Sequence, residues 1–355
     1  MTTRREFLHD SLAATAALSL LPAARRLEAM PAPSDGVTFD LHTHPGAFFF
    51  KGMPGYLGDS AVMKTVTGMH NAKLTGAFIS LVGDAPLLER TATGIVVRGA
   101  YASGDGEREY KRQFAILKEF LKTTPAFLAT KSSDLLRAQR EGKVAAFVAC
   151  EGGEFLEGKP ELVDKLHADG VRSLQLVHYA PNILGDLQTQ PAQHGGLSTL
   201  GKAVVKRANA AGMVIDVAHA AFETVRDVAS MTSAPIILSH SILKMDGDRP
   251  IAARAISVEH AKLVAKTGGV IGAWPSGFNV SFDEFVDNTK RLVDAVGVEH
   301  VGLGTDMDSN FKPVFDNYGQ LKNWTSGLQA KGLTRDEVAL IAGGNMQRVL
   351  QQVIG

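Results

Sequence analysis

Eight short apolar runs narrow the fold of this chain more than any other feature. They cover residues 37–42, 76–82, 144–151, 171–178, 213–219, 235–240, 269–274 and 300–306. Each is built mainly of Val, Ile, Leu, Ala and Phe without polar alternation, the pattern of strands covered on both faces. Amphipathic helical patterns lie between them. Apolar positions recur at Phe114, Leu117, Phe120 and Leu121 in 109–123, and at Leu162, Val163 and Leu166 in 159–169. They recur again at Leu200, Val204 and Val205 in 199–211, and at Phe285, Val286, Leu292 and Val293 in 283–296. Gly170, Gly212 and Gly297 follow such stretches directly, where a helix C-terminus takes a left-handed residue.

Eight strand–helix alternations predict an α/β fold of the (β/α)8 TIM-barrel type, as one domain over 37–355. A doubly wound open sheet would alternate too, but no G-x-G-x-x-G opens a helix after any run. The Gly-rich stretch 94–106 lacks a flanking strand and helix and reads as an exposed loop after the second strand. The tail, 334–354, reads as a closing helical segment with Thr334 as N-cap and Glu337 three residues on.

In such a barrel the functional groups stand at the C-terminal edge of the strands. The polar residues that end the runs are therefore the candidates: His42 and His44, Glu151, His178, His219, His240 and Asp306. Asp308 competes with Asp306, because residues two apart on a strand face the same side. Only the second and seventh runs end without a titratable group. Imidazole and carboxylate without thiolate suit a divalent ion, Zn2+ first, with Mn2+ or Fe2+ as further candidates. The lone cysteine, Cys150, rules out a cysteine-based zinc site and an intrachain disulfide. So many ligands exceed the needs of one four-coordinate ion, but suit two ions bridged by a carboxylate. Glu151 is the glutamate placed to bridge. The chemistry that follows is metal-dependent hydrolysis of an amide, ester or related bond.

Residues 1–30 stand apart from this pattern. Thr3-Arg4-Arg5-Glu6-Phe7-Leu8 precedes an apolar Ala/Leu-rich stretch, 12–21, too short to span a bilayer comfortably. The run resembles the twin-arginine signal, which exports proteins already folded, so the expected location is the periplasm or another exported compartment. Residues 31–36 read as a Pro-containing spacer, and no stable membrane span is expected once the signal is removed. Basic and acidic residues balance at 37 each, so no net field favours nucleic acid or an anionic membrane as partner.

The constellation resembles the membrane (renal) dipeptidase family of zinc metallopeptidases, within the amidohydrolase superfamily. The runs that carry the resemblance include Cys150-Glu151-Gly152-Gly153, Leu176-Val177-His178 and Ile215-Asp216-Val217-Ala218-His219. Leu238-Ser239-His240-Ser241, Gly304-Thr305-Asp306-Met307-Asp308 and Gly344-Asn345-Met346-Gln347-Arg348 continue it. The resemblance implies that His42 and the residue two later hold a first zinc, that Glu151 bridges, and that His219 and His240 hold a second. It further implies that His178 contacts the substrate carbonyl and oxyanion, and that Arg254 grips the substrate's terminal carboxylate. Asp306 would be the acid/base and would help to receive the free amino group. A small-molecule substrate, a dipeptide or similar, follows, and a homodimer is implied in the same way.

The first strand departs from that family. Its members usually carry His-x-Asp there, whereas this chain has His42-Thr43-His44. An imidazole in place of a carboxylate raises the charge of the site by one unit, which makes bound water more acidic and bears on metal preference. The departure keeps open an alternative substrate class, that of a lactonase, a phosphotriesterase-like enzyme or another amide hydrolase. A non-catalytic binding protein on the same barrel would be expected to have lost these groups.

Overall fold

The computed structural model describes residues 36–91 and 94–355. The expected export signal, and the spacer up to residue 35, lie outside the described residues. In chain order the strands are β1 (Phe39–Thr43), β2 (Gly76–Val82), β3 (Leu88–Thr91), β4 (Gly94–Val97), β5 (Ala126–Ala129) and β6 (Val144–Glu151). They continue with β7 (Val171–Gln175), β8 (Val214–Asp216), β9 (Ile237–Ser241), β10 (Val270–Ala273) and β11 (Val301–Leu303). The main helices are α1 (Asp59–Asn71), α2 (Asp105–Leu121), α3 (Asp134–Glu141), α4 (Leu162–Asp169), α5 (Thr199–Ala211) and α6 (Phe222–Met231). After them come α7 (Val258–Lys266), α8 (Phe282–Val296), α9 (Leu321–Ala330), α10 (Arg335–Ala339) and α11 (Asn345–Val353).

Strands pair in parallel in the order β2-β1-β11-β10-β9-β8-β7-β6, and a β2–β6 pairing closes the ring. This is the expected (β/α)8 barrel. β6 is its longest strand and is paired on both edges. β2 runs along all but its first residue, from Gly76 opposite Ala145 to Val82 opposite Glu151. On the other edge β5 takes Val144 to Phe147, and β7 takes Val148 to Glu151.

The strands are buried because both faces are apolar. Phe39, Phe78 and Phe147, from β1, β2 and β6, pack with centroids 5.3 to 6.1 Å apart. With Met346, Val349 and Leu350 of α11 they form one buried cluster at the floor of the barrel. Thr334 caps α10 and Glu337 returns the bond to the Thr334 amide, the capping box expected in the tail.

The mouth is shaped by close backbone contacts. A side chain on Gly272 or on Gly304 would place its first carbon 1.8 Å from the Ser239 carbonyl oxygen. Neither position has room for a methyl, and this keeps β9 tight against its neighbours. The register of β1 against β2 shifts between Asp40 and Thr43. The shift falls at His42, whose ring enters the mouth beside Ser80 and Ser239.

Two expectations need correction. The runs 171–178, 213–219 and 300–306 overstate their strands, which stop three residues short of His178, His219 and Asp306. His219 and Asp306 sit at φ 65° and 51°, a left-handed backbone that no strand continues through. The stretch 94–106 is not a loop throughout: Gly94–Val97 pairs antiparallel with β3, and α2 begins at Asp105. Its surrounding glycines hid a β-branched run, Ile95-Val96-Val97, that prefers a strand. No described helix is long and apolar enough to cross a membrane.

The packing at the mouth yields a test. Gly272→Ala should destabilise the fold by about 3 kcal/mol, the upper range of overpacking penalties. Chemical denaturation checks it, and a change under about 0.5 kcal/mol would contradict the close approach to Ser239.

Candidate metal centre

The site is built around Glu151, the last residue of β6. Its Oε1 lies 3.2 Å from His42 Nε2, 3.3 Å from His178 Nε2, 3.4 Å from His219 Nε2 and 3.9 Å from His240 Nε2. Its Oε2 lies 3.2 Å from His44 Nε2, which is 3.4 Å from Asp306 Oδ1. The Nε2 atoms of His42 and His44 are 3.0 Å apart, and those of His219 and His240 are 3.1 Å apart. Two triads result, His42–His44–Glu151 and Glu151–His219–His240, each with ligand atoms close enough to share one ion. All five residues are buried.

The protonation this geometry requires is informative. His44 Nδ1 faces the Ser80 carbonyl at 3.0 Å, an atom that can only accept, so Nδ1 carries the proton. His44 Nε2 then turns a lone pair toward Glu151, His42 and Asp306. His240 Nε2 lies 3.2 Å from Arg254 Nη2, which can only donate, so its lone pair also points inward. A proton bridges two such atoms at a time, whereas a divalent ion draws three or four lone pairs at once. The donor set therefore fits metal, and its imidazole-plus-carboxylate chemistry fits Zn2+.

Electrostatics support this. Burial, then the charges of Arg254 and His178, hold His219 well below the ordinary imidazole value. Burial, with His42, His219 and Arg254 adding to it, does the same for His240. Both rings are thus neutral, the form a metal ligand needs. Burial alone would raise the Glu151 carboxyl. The charge of His178, with the imidazoles of His42 and His219 crowded around the carboxylate, outweighs burial and holds it well below the usual carboxylate range. Burial pushes Asp306 up to about 7 and Glu151 adds to the rise, although His44, His178 and Arg254 oppose it.

The structure brings every expected site residue together. His42 lies within β1 and His44 directly follows it, His240 lies within β9, and His178, His219 and Asp306 project from turns beyond their strands. Arg254, between β9 and α7, is 2% exposed. It donates to Gln188 Oε1 at 2.7 Å and lies over Trp274 at 5.5 Å. Asp306 and Asp308 separate clearly. Asp308 Oδ2 accepts from the Gly46 amide and the Thr65 hydroxyl, both at 2.6 Å, and so belongs to the packing of the β1–α1 connection.

Several contributors were not singled out in the sequence. Asp84, two residues past β2, holds His178 Nδ1 at 2.6 Å and accepts the amides of Tyr179 and Ala180. Burial would lower His178, but Asp84, followed by Glu151, pushes it up to about 9. The strand-end rule would have reached Asp84 had it been applied two residues further. Ser80 of β2 and Ser239 of β9 are buried hydroxyls within the apolar runs 76–82 and 235–240, a readable signal for inward polar support. Asp40 accepts from His42 N, Thr305 N, Thr305 Oγ1 and Tyr318 Oη, fixing the ends of β1 and β11 against each other. Above the ligands, Phe49, Phe50, Ile95, Tyr179 and Trp274 wall the cavity. Arg90 of the β3–β4 hairpin reaches across to Ser309, 3.0 Å from its hydroxyl.

Fold and site define the class, a (β/α)8 barrel whose mouth holds paired His/Glu triads sharing one carboxylate. The profile of the membrane dipeptidase family (Peptidase family M19) matches residues 87–354, and the chain belongs to that family. The dipeptidase verJ of Clonostachys rogersoniana is 27% identical over 64% of this chain and 60% of its own length. The dipeptidase aclJ of Aspergillus oryzae is 27% identical over 60% of this chain and 52% of its own. The chain thus spans little more than half of those relatives. Among solved structures, a Rhodobacter sphaeroides metallopeptidase liganded with a phosphinate mimic of L-Ala-D-Ala superposes with TM-score 0.76 at 16% identity. That match covers 90% of this chain and all of the other. The probable dipeptidase PvdM of Pseudomonas aeruginosa gives 0.73 at 21%, over 90% and 95%. These two likenesses are of fold.

Because both triads use Glu151, metal should stabilise the protein through that residue. Adding Zn2+ to chelator-treated protein should raise its melting temperature, with about 4 kcal/mol gained at a thousandfold excess over Kd. Glu151→Gln should lose most of that gain in a thermal-shift titration. An equal gain in both proteins would place the metal elsewhere.

Proposed function

We propose that this chain is a dipeptidase that works with two divalent ions, Zn2+ in kind, and cleaves the peptide bond of small free dipeptides. The observation that carries this reading is Arg254. It is a buried guanidinium at hydrogen-bond distance from a candidate metal ligand and held by neutral Gln188, and its buried Nε has no hydrogen-bond partner among the described residues. A buried cation left without an anion is expensive unless a ligand supplies one. A peptide's terminal carboxylate matches it through two parallel hydrogen bonds. Family membership, relatives named dipeptidases, and a structural neighbour that binds a dipeptide mimic support the same reading.

His42 and His44 would hold one ion and His219 and His240 the other, with Glu151 between them. When bound, the ions would acidify a water and polarise the scissile carbonyl. The protein's own groups do the rest. His178, kept charged by Asp84, presents its Nε2 proton where negative charge grows on the carbonyl oxygen. Asp306, beside His44, takes the water's proton and returns it to the leaving amine. Arg254 fixes the carboxylate end, and the aromatic walls exclude water around the reacting bond.

A panel of dipeptides assayed with and without chelator tests the reading, and the absence of any chelator-sensitive cleavage would overturn it. Arg254→Ala should lower kcat/KM on dipeptides by about a hundred- to a thousandfold, the loss of a buried charge-assisted pair. The same variant should leave carboxyl-amidated dipeptides nearly unaffected. A second reading, a lactonase or related hydrolase of uncharged substrates, is favoured by the imidazole at His44. It predicts ready hydrolysis of neutral lactones that Arg254→Ala does not slow.

We also propose that the protein acts after export, on the strength of Arg4-Arg5 and the apolar run that follows. Arg4→Lys with Arg5→Lys should retain the protein in the cytoplasm of a bacterial host. Unchanged recovery in the exported fraction would refute this.

A further inference from the structure

Ser239 stands behind both triads. It is completely buried in β9, and its amide donates to Asp216 Oδ1 at 3.0 Å. Its hydroxyl oxygen lies 3.0 Å from His240 Nδ1 and 3.3 Å from His42 Nδ1. These histidines belong to different triads, so one oxygen touches the outer nitrogen of a ligand from each. Asp216, which accepts the Ser239 amide, also accepts the Ala218 amide and so holds the backbone behind both rings.

A serine hydroxyl has one proton to give and two lone pairs to receive. Ser239 satisfies both lone pairs when His42 and His240 each donate to its oxygen from Nδ1. That places both protons on the outer nitrogens and leaves both Nε2 lone pairs facing the site. The Arg254 contact independently requires this tautomer of His240. Metal-ligating histidines need such an outer partner to fix the ring and its tautomer. Most proteins supply one partner per histidine, whereas here a single oxygen serves one ligand from each triad. Ser80 provides the contrast, since its hydroxyl lies 3.2 Å from His42 Nδ1 and its carbonyl holds His44. Ser80 serves the first triad alone.

We propose that Ser239 is a positioning residue common to both ion sites, setting His42 and His240 in the ligand tautomer through one hydroxyl. The proposal rests on the reading that two ions bind. It separates Ser239 from Ser80 by the number of sites each supports.

The test is Zn2+ binding to chelator-treated full-length protein, followed by competition with a chromophoric chelator and counting the ions bound. Wild type should take up two ions. Ser239→Ala should weaken both by about ten- to a hundredfold, the usual loss when an outer partner of a metal-bound histidine is removed. Ser80→Ala should weaken one and spare the other. Imidazole Nδ1–H proton resonances of the loaded proteins give a second readout: Ser239→Ala should shift two of them. Weakening of only one site, or of neither, by Ser239→Ala would overturn the proposal. So would a lower melting temperature of the metal-free variant with ion affinities unchanged, which marks a packing role alone. Uptake of a single ion by wild type would instead overturn the two-ion reading, and the shared role with it.

Discussion

The arrangement at the mouth depends on a conflict of lone pairs. Glu151 presents two carboxylate oxygens to five imidazole nitrogens within 3.9 Å, all on buried side chains. In a folded chain that crowding is tolerable only if positive charge enters. Part of it comes from the protein, since His178 is kept protonated by Asp84 and Arg254 presses on His240. The remainder is left to divalent metal, which the donor atoms of both triads fit. The mouth is therefore better viewed as a charge deficit held open by the barrel than as a set of ligands that happen to meet.

The barrel holds it open through short-range devices. Asp40 accepts the His42 amide within β1, and Asp216 accepts the Ala218 amide one residue before His219. His219 and Asp306 occupy left-handed backbone, which turns their side chains inward where an extended strand would carry them past. Gly272 and Gly304 let neighbouring backbones close on Ser239, so the hydroxyl behind the two triads has little freedom to wander. Each device is small, and together they specify positions to the accuracy that ligand geometry demands.

Much of this could be read from the sequence, for identifiable reasons. Strands buried on both faces leave unbroken apolar runs, so all eight barrel strands were visible and β2 and β6 matched residue for residue. Ligands at strand ends follow from barrel geometry, which is why His42, His44, Glu151, His219 and His240 could be gathered before any coordinates. Strand ends were less legible, because a left-handed turn at His219 or Asp306 depends on tertiary hydrogen bonds that composition does not carry. Asp306 and Asp308 could not be told apart by spacing; the chain leaves the strand at Leu303, and the rule of alternate faces lapses there. The hairpin Leu88–Thr91 with Gly94–Val97 was hidden by its glycines. Supporting groups such as Asp84 and Ser239 were passed over because neither stood where a strand-end search looked.

The double pairing of β6 has a consequence for motion. Its amides and carbonyls are engaged by β2 along all but the first residue and by β5 and then β7 on the opposite side, and the Glu151 carbonyl accepts the Gly83 amide at 2.7 Å. Local opening of a protein begins where backbone bonds are few and exposed. The shared carboxylate therefore rides on a segment that opens only when the barrel itself does, whereas His178, His219 and Asp306 stand on turns beyond the strand ladders. Local opening of one of those turns would leave Glu151 in its place.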